Sequence, residues 1–263
     1  MNGNVTFDSH DLNTFDPTTR VGILINAINH ANIPTQNTPL FVIADANKSS
    51  IPAITHDNKI ITLSGSLAHT TEANLDNLID TFKGYFNGIS KTLSIAYGSG
   101  NRLYTATKNA LTITRQNTAK YANFELTFIC TDPFGRDEAI TSITNSLNYT
   151  SATLTVTPTI GGNAPVQYPI ITLTIDALTG TGDYVQITNN NNDQQMLLYG
   201  FNLTAGAVIV IDTFTRIVTI NGDEVDYRGT FLELSPGAQS ITYTDGFTTR
   251  TVDIVIGYYK RWL

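Results

Sequence analysis

The sequence predicts a mainly β protein of two domains with a single long helix. Three observations carry that reading. Thr and Asn are abundant while Lys, Arg and Glu are sparse, a balance that favours strands and turns. Hydrophobic residues make up 41% of 263 and charged residues only 14%, enough apolar material for packed cores and too little charge for a disordered chain. Alternating apolar segments follow one another with Gly, Pro and Asn between them, and only one stretch repeats at helical spacing.

In chain order, "VTF" and "VGILINAI" within residues 5–30 read as strands. Residues 32–58 are rich in Pro, Asn, Thr and Ser around the short run "LFVIA". This segment has little core of its own and reads as an extended arm or hairpin that lies on a neighbouring subunit. "KIITLSGSL" (59–67) is a strand. Residues 71–89 form the helix: Leu75, Leu78, Ile79, Phe82, Tyr85, Phe86 and Ile89 share one face. Thr70 or Thr71 caps its start, Glu72 suits the positive end of its dipole, and Gly88 stops it.

Three strands come next, "KTLSIAYG", "RLYTATKNALTITRQ" with a bend at Lys108-Asn109, and "YANFELTFICTDPFG", which Pro133 and Gly135 break. In "RDEAITSITNSL" (136–147), Ile140, Ile143 and Leu147 suggest a short helix, taken as the linker. The division is therefore 1–135, linker 136–147, and 148–263. The remainder is β: "ATLTVTPT", "YPIITLTID", "DYVQITNN", "QMLLYGF", "AVIVID", "RIVTING", "TFLEL", "QSITYT" and "TVDIVIGYY". Short strands with frequent turns indicate a sandwich. Asn221-Gly222 between alternating runs marks a two-residue hairpin, because both residues tolerate the positive φ of a type I′ turn.

Charge separates the halves. Residues 1–135 carry 9 Lys+Arg against 10 Asp+Glu, and residues 136–263 carry 6 against 12. The net charge of -7 disfavours a grip on nucleic acid phosphates. The lone cysteine, Cys130, sits in an apolar strand and reads as a buried small hydrophobe. The N-terminus lacks the basic and apolar regions of a secretory signal. "AVIVI" is far too short to span a bilayer, so no membrane insertion is expected.

Signals of chemistry are sparse. His10, His30, His56 and His69 show no metal-ligand spacing, and no GxSxG, P-loop or dinucleotide fingerprint occurs. "YGSGNR" joins two strands and opens no helix, which argues against a phosphate cradle. "DEVD" (223–226) follows a hairpin turn and reads as a solvated tip rather than a calcium loop. Asp212 reads as an acceptor for turn N–H groups. No catalytic, cofactor-binding or metal residues are assigned. The second half lacks His, and its one Trp is Trp262, so only weak or absent binding of simple sugars is expected.

The order of these segments resembles a known family. A first domain with one amphipathic helix closes on "FELTFICTDPFG". A sandwich follows with "VIDTFTRIVTINGDE", "FLELSPGAQSITY" and a terminal "VDIVIGYYKRWL". This layout is similar to the distal tail proteins of long, non-contractile-tailed, siphovirus-like bacteriophages. The resemblance implies a tail-tube-like ring-forming domain (1–135) and a galectin-like sandwich (148–263). It implies a hexameric homo-oligomeric ring that joins the tail tube protein to a tail-tip hub protein, with receptor-binding proteins attached, and DNA passing through without specific binding. It places the protein in the virion after synthesis in the host cytoplasm. A carbohydrate-binding module that assists adsorption is the alternative, and a secreted adhesion protein is a third reading that the missing signal disfavours.

Overall fold

In a computed structural model, the structure describes residues 4–37, 41–42, 49–50, 55–115, 120–180, 184–201 and 203–263. The chain divides into two compact units, one running to Arg136 and the other spanning Asp137–Trp262.

The first unit is built on one antiparallel sheet. Across it the strands run His10–Asp11, Val5–Phe7, Lys91–Tyr97, Gly100–Arg115, Tyr121–Cys130, Lys59–Ala68 and Gly22–Asn29. Strict alternation puts Phe124, Leu126, Phe128 and Cys130 on one face beside Ile61, Leu63 and Leu67. The helix, Glu72–Gly84, covers that face with Leu75, Ile79 and Phe82. The Phe82 and Phe124 rings lie 4.8 Å apart, and Phe86 meets both Phe82 and Phe128. Each such ring, taken out of water, contributes about 1.5–3 kcal/mol.

Thr71 is the N-cap, its hydroxyl accepting from the Asn74 N–H at 3.2 Å. The helix ends at Gly84, four residues before the expected stop at Gly88. Ile89 lies beyond the end and is 78% exposed, so the apolar stripe closes at Phe86.

The bend expected at Lys108-Asn109 is a β-bulge. The ladder to Tyr121–Cys130 shifts between Lys108 and Ala110. In the predicted arm, Gln36–Asn37 pairs with Thr55–His56, and Phe41–Val42 with Ser49–Ser50, so the chain runs out and back. The rest of the expected arm, residues 38–40, 43–48 and 51–54, lies outside the described residues.

The second unit is a sandwich. One sheet has six strands in the order Thr141–Tyr149, Thr249–Tyr258, Pro169–Thr179, Val208–Asp212, Ile217–Ile220, Asp223–Glu224. The other has five: Thr153–Val156, Ile241–Asp245, Tyr184–Asn189, Gln194–Tyr199, Arg228–Gly229. Ile171, Leu173, Ile209, Ile211, Ile254 and Ile256 from the first meet Val185, Ile187, Met196, Leu198 and Tyr243 from the second in one core.

Two expectations are corrected here. Residues within 136–147 form no helix: Thr141–Tyr149 is an edge strand paired with Thr249–Tyr258, with two register shifts. Its Thr and Ser side chains favour extended backbone. Ile143 packs against the core, whereas Ile140 and Leu147 are exposed, so the apparent helical spacing was coincidental. "TFLEL" is not a regular strand either. It makes an isolated bridge between Leu234 and Gln167, and Leu232 and Leu234 reach the core from irregular backbone.

Among the described residues, no helix is long and apolar enough to cross a membrane.

Candidate functional site

The sheet of the first unit has a second face, turned away from the helix. Register and alternation assign it. Thr6, Thr92, Ser94 and Ala96 lie there, followed by Leu103, Thr105 and Thr107. The bulge resets the phase of the long strand. Beyond it Ala110, Thr112 and Thr114 stand on this face, opposite Thr127, Glu125 and Asn123. Ser64, Thr62 and Ile60 continue the rows on the next strand.

Five cations are carried by the strands Lys59–Ala68, Lys91–Tyr97 and Gly100–Arg115, and all five fall on the helix side; a further strand of the sheet, Gly135–Asp137, pairs with Gly100–Arg115 and carries the exposed Arg136. Lys59 pairs with Cys130, Lys91 with Ala106, Arg102 with Ile95, Lys108 with Phe128 and Arg115 with Ala122, each partner buried in the core. The open face therefore carries hydroxyls, amides and a few aliphatic groups. Its registered charges are Glu125 and, at the sheet's end, Asp11.

The cations have local partners. Lys91 Nζ lies 3.0 Å from Asp8 Oδ2, and Lys83 Nζ lies 3.1 Å from Asp80 Oδ1 on the helix. Arg115 reaches across to the helix, pairing with Glu72 at 3.1 Å and with Asp76. The Arg102 guanidinium sits 4.5 Å above the Tyr97 ring. Lys108 joins Lys83, Asp80, Ile79 and Leu111 in lining a groove between the helix and the long strand.

Lys59 is the buried member. Its ammonium lies 5.7 Å over the Tyr104 ring, and Tyr104 and Tyr97 share a hydroxyl contact at 3.2 Å. Burial holds the Lys59 ammonium below the ordinary lysine range. Burial also pushes the Cys130 thiol up to about 12, so it is a protonated, unreactive part of the core, as expected from its strand.

The strand order of this sheet ends at His10–Asp11 and at Gly22–Asn29. Along Gly22–Asn29 the Ile23 and Ile25 N–H groups already donate to Thr14 Oγ1 and Asn13 Oδ1, so only its later part is left uncovered by that segment. Pairing with Lys91–Tyr97 stops at Ala106, so residues 107–115 continue with Tyr121–Cys130 and leave their other edge open.

The four histidines serve packing and capping. His10 stacks on Tyr85 at 4.1 Å, while His30 and His56 present edges to Tyr97 and Phe134. His69 Nδ1 accepts the Thr70 N–H at 2.9 Å. Among the described residues, no group of three or more His, Cys, Asp or Glu is arranged to hold a metal ion.

In the second unit, Asn221 and Gly222 adopt φ of 55° and 91° and close the expected hairpin, whose second strand is the edge of the six-stranded sheet. Asp212 accepts the Phe214 and Thr215 N–H groups at 2.9 and 3.2 Å, the turn role its type suggests. A buried cluster escaped sequence reading. Asp245 accepts the Tyr243 hydroxyl at 2.7 Å and the Phe247 N–H at 2.9 Å, and pairs with Arg250 Nε at 2.9 Å. Only the hydrophilic turn "DGF" hinted at it.

Comparisons with known proteins agree with this architecture. Residues 161–262 match the family described as the siphovirus-type tail component, C-terminal domain. The fold is similar to that of the Dit protein of phage SPP1, presented as a paradigm of the hub adsorption apparatus in phages infecting Gram-positive bacteria. That likeness has a TM-score of 0.71 at 13% identity and covers 99% of both chains. A weaker likeness, TM-score 0.47 at 9% identity, links it to a chain of the phage P2 baseplate in its activated conformation with Ca, covering 98% of this chain and 97% of that one. No curated protein matches by sequence. The resemblance to siphovirus-like distal tail proteins thus has two supports: residues 161–262 match the siphovirus-type tail component C-terminal domain, and the chain as a whole shares the fold of the SPP1 Dit protein.

Proposed function

We propose that this protein is the structural hub of a phage tail tip, a ring of six copies that joins the tail tube to the distal tip and adsorption apparatus and leaves a channel for DNA. The observation that carries the reading is the placement of charge on the first sheet. The five cations on its long registered strands share the helix side, and none of them stands on the open face. As a channel wall, the registered rows of that face offer phosphates hydroxyls and amides rather than cations. Affinity for DNA rises steeply with the number of Lys and Arg contacts, so such a wall lets DNA slide past.

Sheet edges support ring closure. Gly22–Asn29 of one copy and residues 107–115 of the next are complementary in kind, and a head-to-tail contact of this type closes when its rotation allows. The hairpin that begins at Gln36 serves as a second tie to the neighbour. The number six follows from the family resemblance. On this reading the first domain (1–135) is tail-tube-like and the second (148–263) galectin-like. The second forms the ring's outer part, where receptor-binding proteins attach, and the tail tube protein and a tail-tip hub protein bind opposite faces of the ring. The chain is made in the host cytoplasm, works in the virion, performs no catalysis and takes no cofactor.

Electron microscopy of the purified full-length protein tests this. Closed rings with a central channel are expected, and deletion of Gln36–Ser50 is expected to yield folded subunits that no longer close. Monomers of the intact chain at high protein concentration, in the presence of the tail tube protein, would overturn the reading.

A further inference from the structure

The five-stranded sheet of the second unit has an outer face of unusual chemistry. Register places Thr153, Thr244, Gln186, Leu197 and Arg228 in one row across it, and Thr155, Thr242, Thr188 and Gln195 in the next. No Asp or Glu occupies these registered positions, although residues 136–263 carry 12 acids against 6 bases. At one end Tyr184 and Tyr199 are direct cross-strand partners. Tyr199 is 53% exposed, and the Arg228 guanidinium lies 5.6 Å over its ring.

The amides beside this end are already held in place. Gln186 Nε2 donates to both Thr188 Oγ1 and Gln195 Oε1 at 3.1 Å. Thr155 and Thr242 hydroxyls meet at 3.0 Å, and Asn190 Nδ2 donates to Thr242 at 2.9 Å. The face thus joins an exposed aromatic platform to fixed, uncharged donors and acceptors. A pyranose ring has the matching character, with an apolar C–H face and a rim of hydroxyls. The outer face of the six-stranded sheet differs. Its central row is Val210, Thr172 and Val255, without an aromatic ring.

We propose that this outer face binds a neutral pyranose oligosaccharide, with Tyr199 stacking on one sugar ring and Gln186, Gln195 and Thr188 addressing its hydroxyls. The absence of carboxylates and the single cation, already engaged with Tyr199, select an uncharged glycan over an anionic one. The site extends the structural role and does not depend on it, since a ring that binds no sugar leaves that role standing.

The test is calorimetry on the full-length protein with maltotetraose, cellotetraose, tetra-N-acetylchitotetraose and β-1,4-galactotetraose as neutral probes, and dextran sulfate as the anionic one. At least one neutral probe is expected to bind saturably. Tyr199→Ala is expected to weaken it about tenfold, at the upper end of what an aromatic contact contributes, and Tyr199→Phe to retain it. Phe214→Ala removes an equally exposed ring from the turn between Val208–Asp212 and Ile217–Ile220 and is expected to leave binding unchanged. Absence of binding by every neutral probe, binding indifferent to Tyr199→Ala, or salt-sensitive binding of dextran sulfate alone would overturn the proposal. Circular dichroism of each variant separates lost contact from lost fold.

Discussion

The Phe124 ring occupies the space that a side chain on Gly65 would need: a Cβ there would sit 2.5 Å from Phe124 Cζ and 2.2 Å from the Leu24 carbonyl oxygen. The two residues are direct cross-strand partners, and the missing side chain lets Phe124 lie against its neighbour strand while its ring meets Phe82 of the helix. Gly65→Ala forces either the ring or the strand backbone to shift. Overpacking of this kind costs about 1–3 kcal/mol, and urea unfolding of the variant should show that loss without a change in secondary structure.

The Asp245–Arg250 pair should be the most sensitive polar contact of the second unit. Both side chains are nearly inaccessible, and Asp245 also holds Tyr243 and the Phe247 N–H. Asp245→Ala strands a buried guanidinium and a buried hydroxyl together, a change that costs about 3–5 kcal/mol. Thermal melts should show the second unit unfolding well below the first.

Lys59 predicts a pH effect of definite sign. Its folded-state proton affinity is depressed by burial, so the folded chain binds that proton less tightly than the unfolded chain. The resulting penalty is fully present below the folded value and fades as pH rises towards 10.5, the ordinary lysine value. Lys59→Met keeps the stem and removes the charge. Calorimetric scans should place the variant's melting point above wild type at pH 7, with the gain shrinking by pH 10. A lower melting point at pH 7 would mean that the contact with Tyr104 outweighs desolvation.

On the proposed reading, the open face of the first sheet should become adhesive when cations are added to its rows. Thr105, Thr112 and Thr127 lie on the open face of the first sheet. The triple change Thr105→Lys, Thr112→Lys, Thr127→Lys is repeated in every copy of a ring. Filter binding should then detect retention of duplex DNA that falls steeply with salt, whereas wild-type rings pass it.

Much of this was legible because local chemistry decided it. Asn221-Gly222 tolerates the turn's φ values wherever it sits, and Leu75, Ile79 and Phe82 announce a buried helix face by spacing alone. Cys130 was readable from the apolar strand around it. The strand at Thr141–Tyr149 was not, because Ile140, Ile143 and Leu147 mimic a helical stripe and pairing with Thr249–Tyr258 overrides it. Nor was the sorting of cations between two faces. The bulge at Asn109 changes which of Lys108, Ala110 and Arg115 share a side, and only register reveals it. Tyr184, Tyr199 and Arg228 are separated in sequence, and sheet pairing alone makes them neighbours.

The burial of Cys130 bears on life outside the cell. On the proposed reading the protein is assembled where thiols are kept reduced and then persists, without repair, in air-exposed surroundings. Its one sulfhydryl has no second thiol in the chain to join and is shielded from the solvent on which oxidants travel. On the same reading, copies packed side by side in a ring are not tied together by accidental disulfides through this buried thiol, and the assembly is held by non-covalent fit.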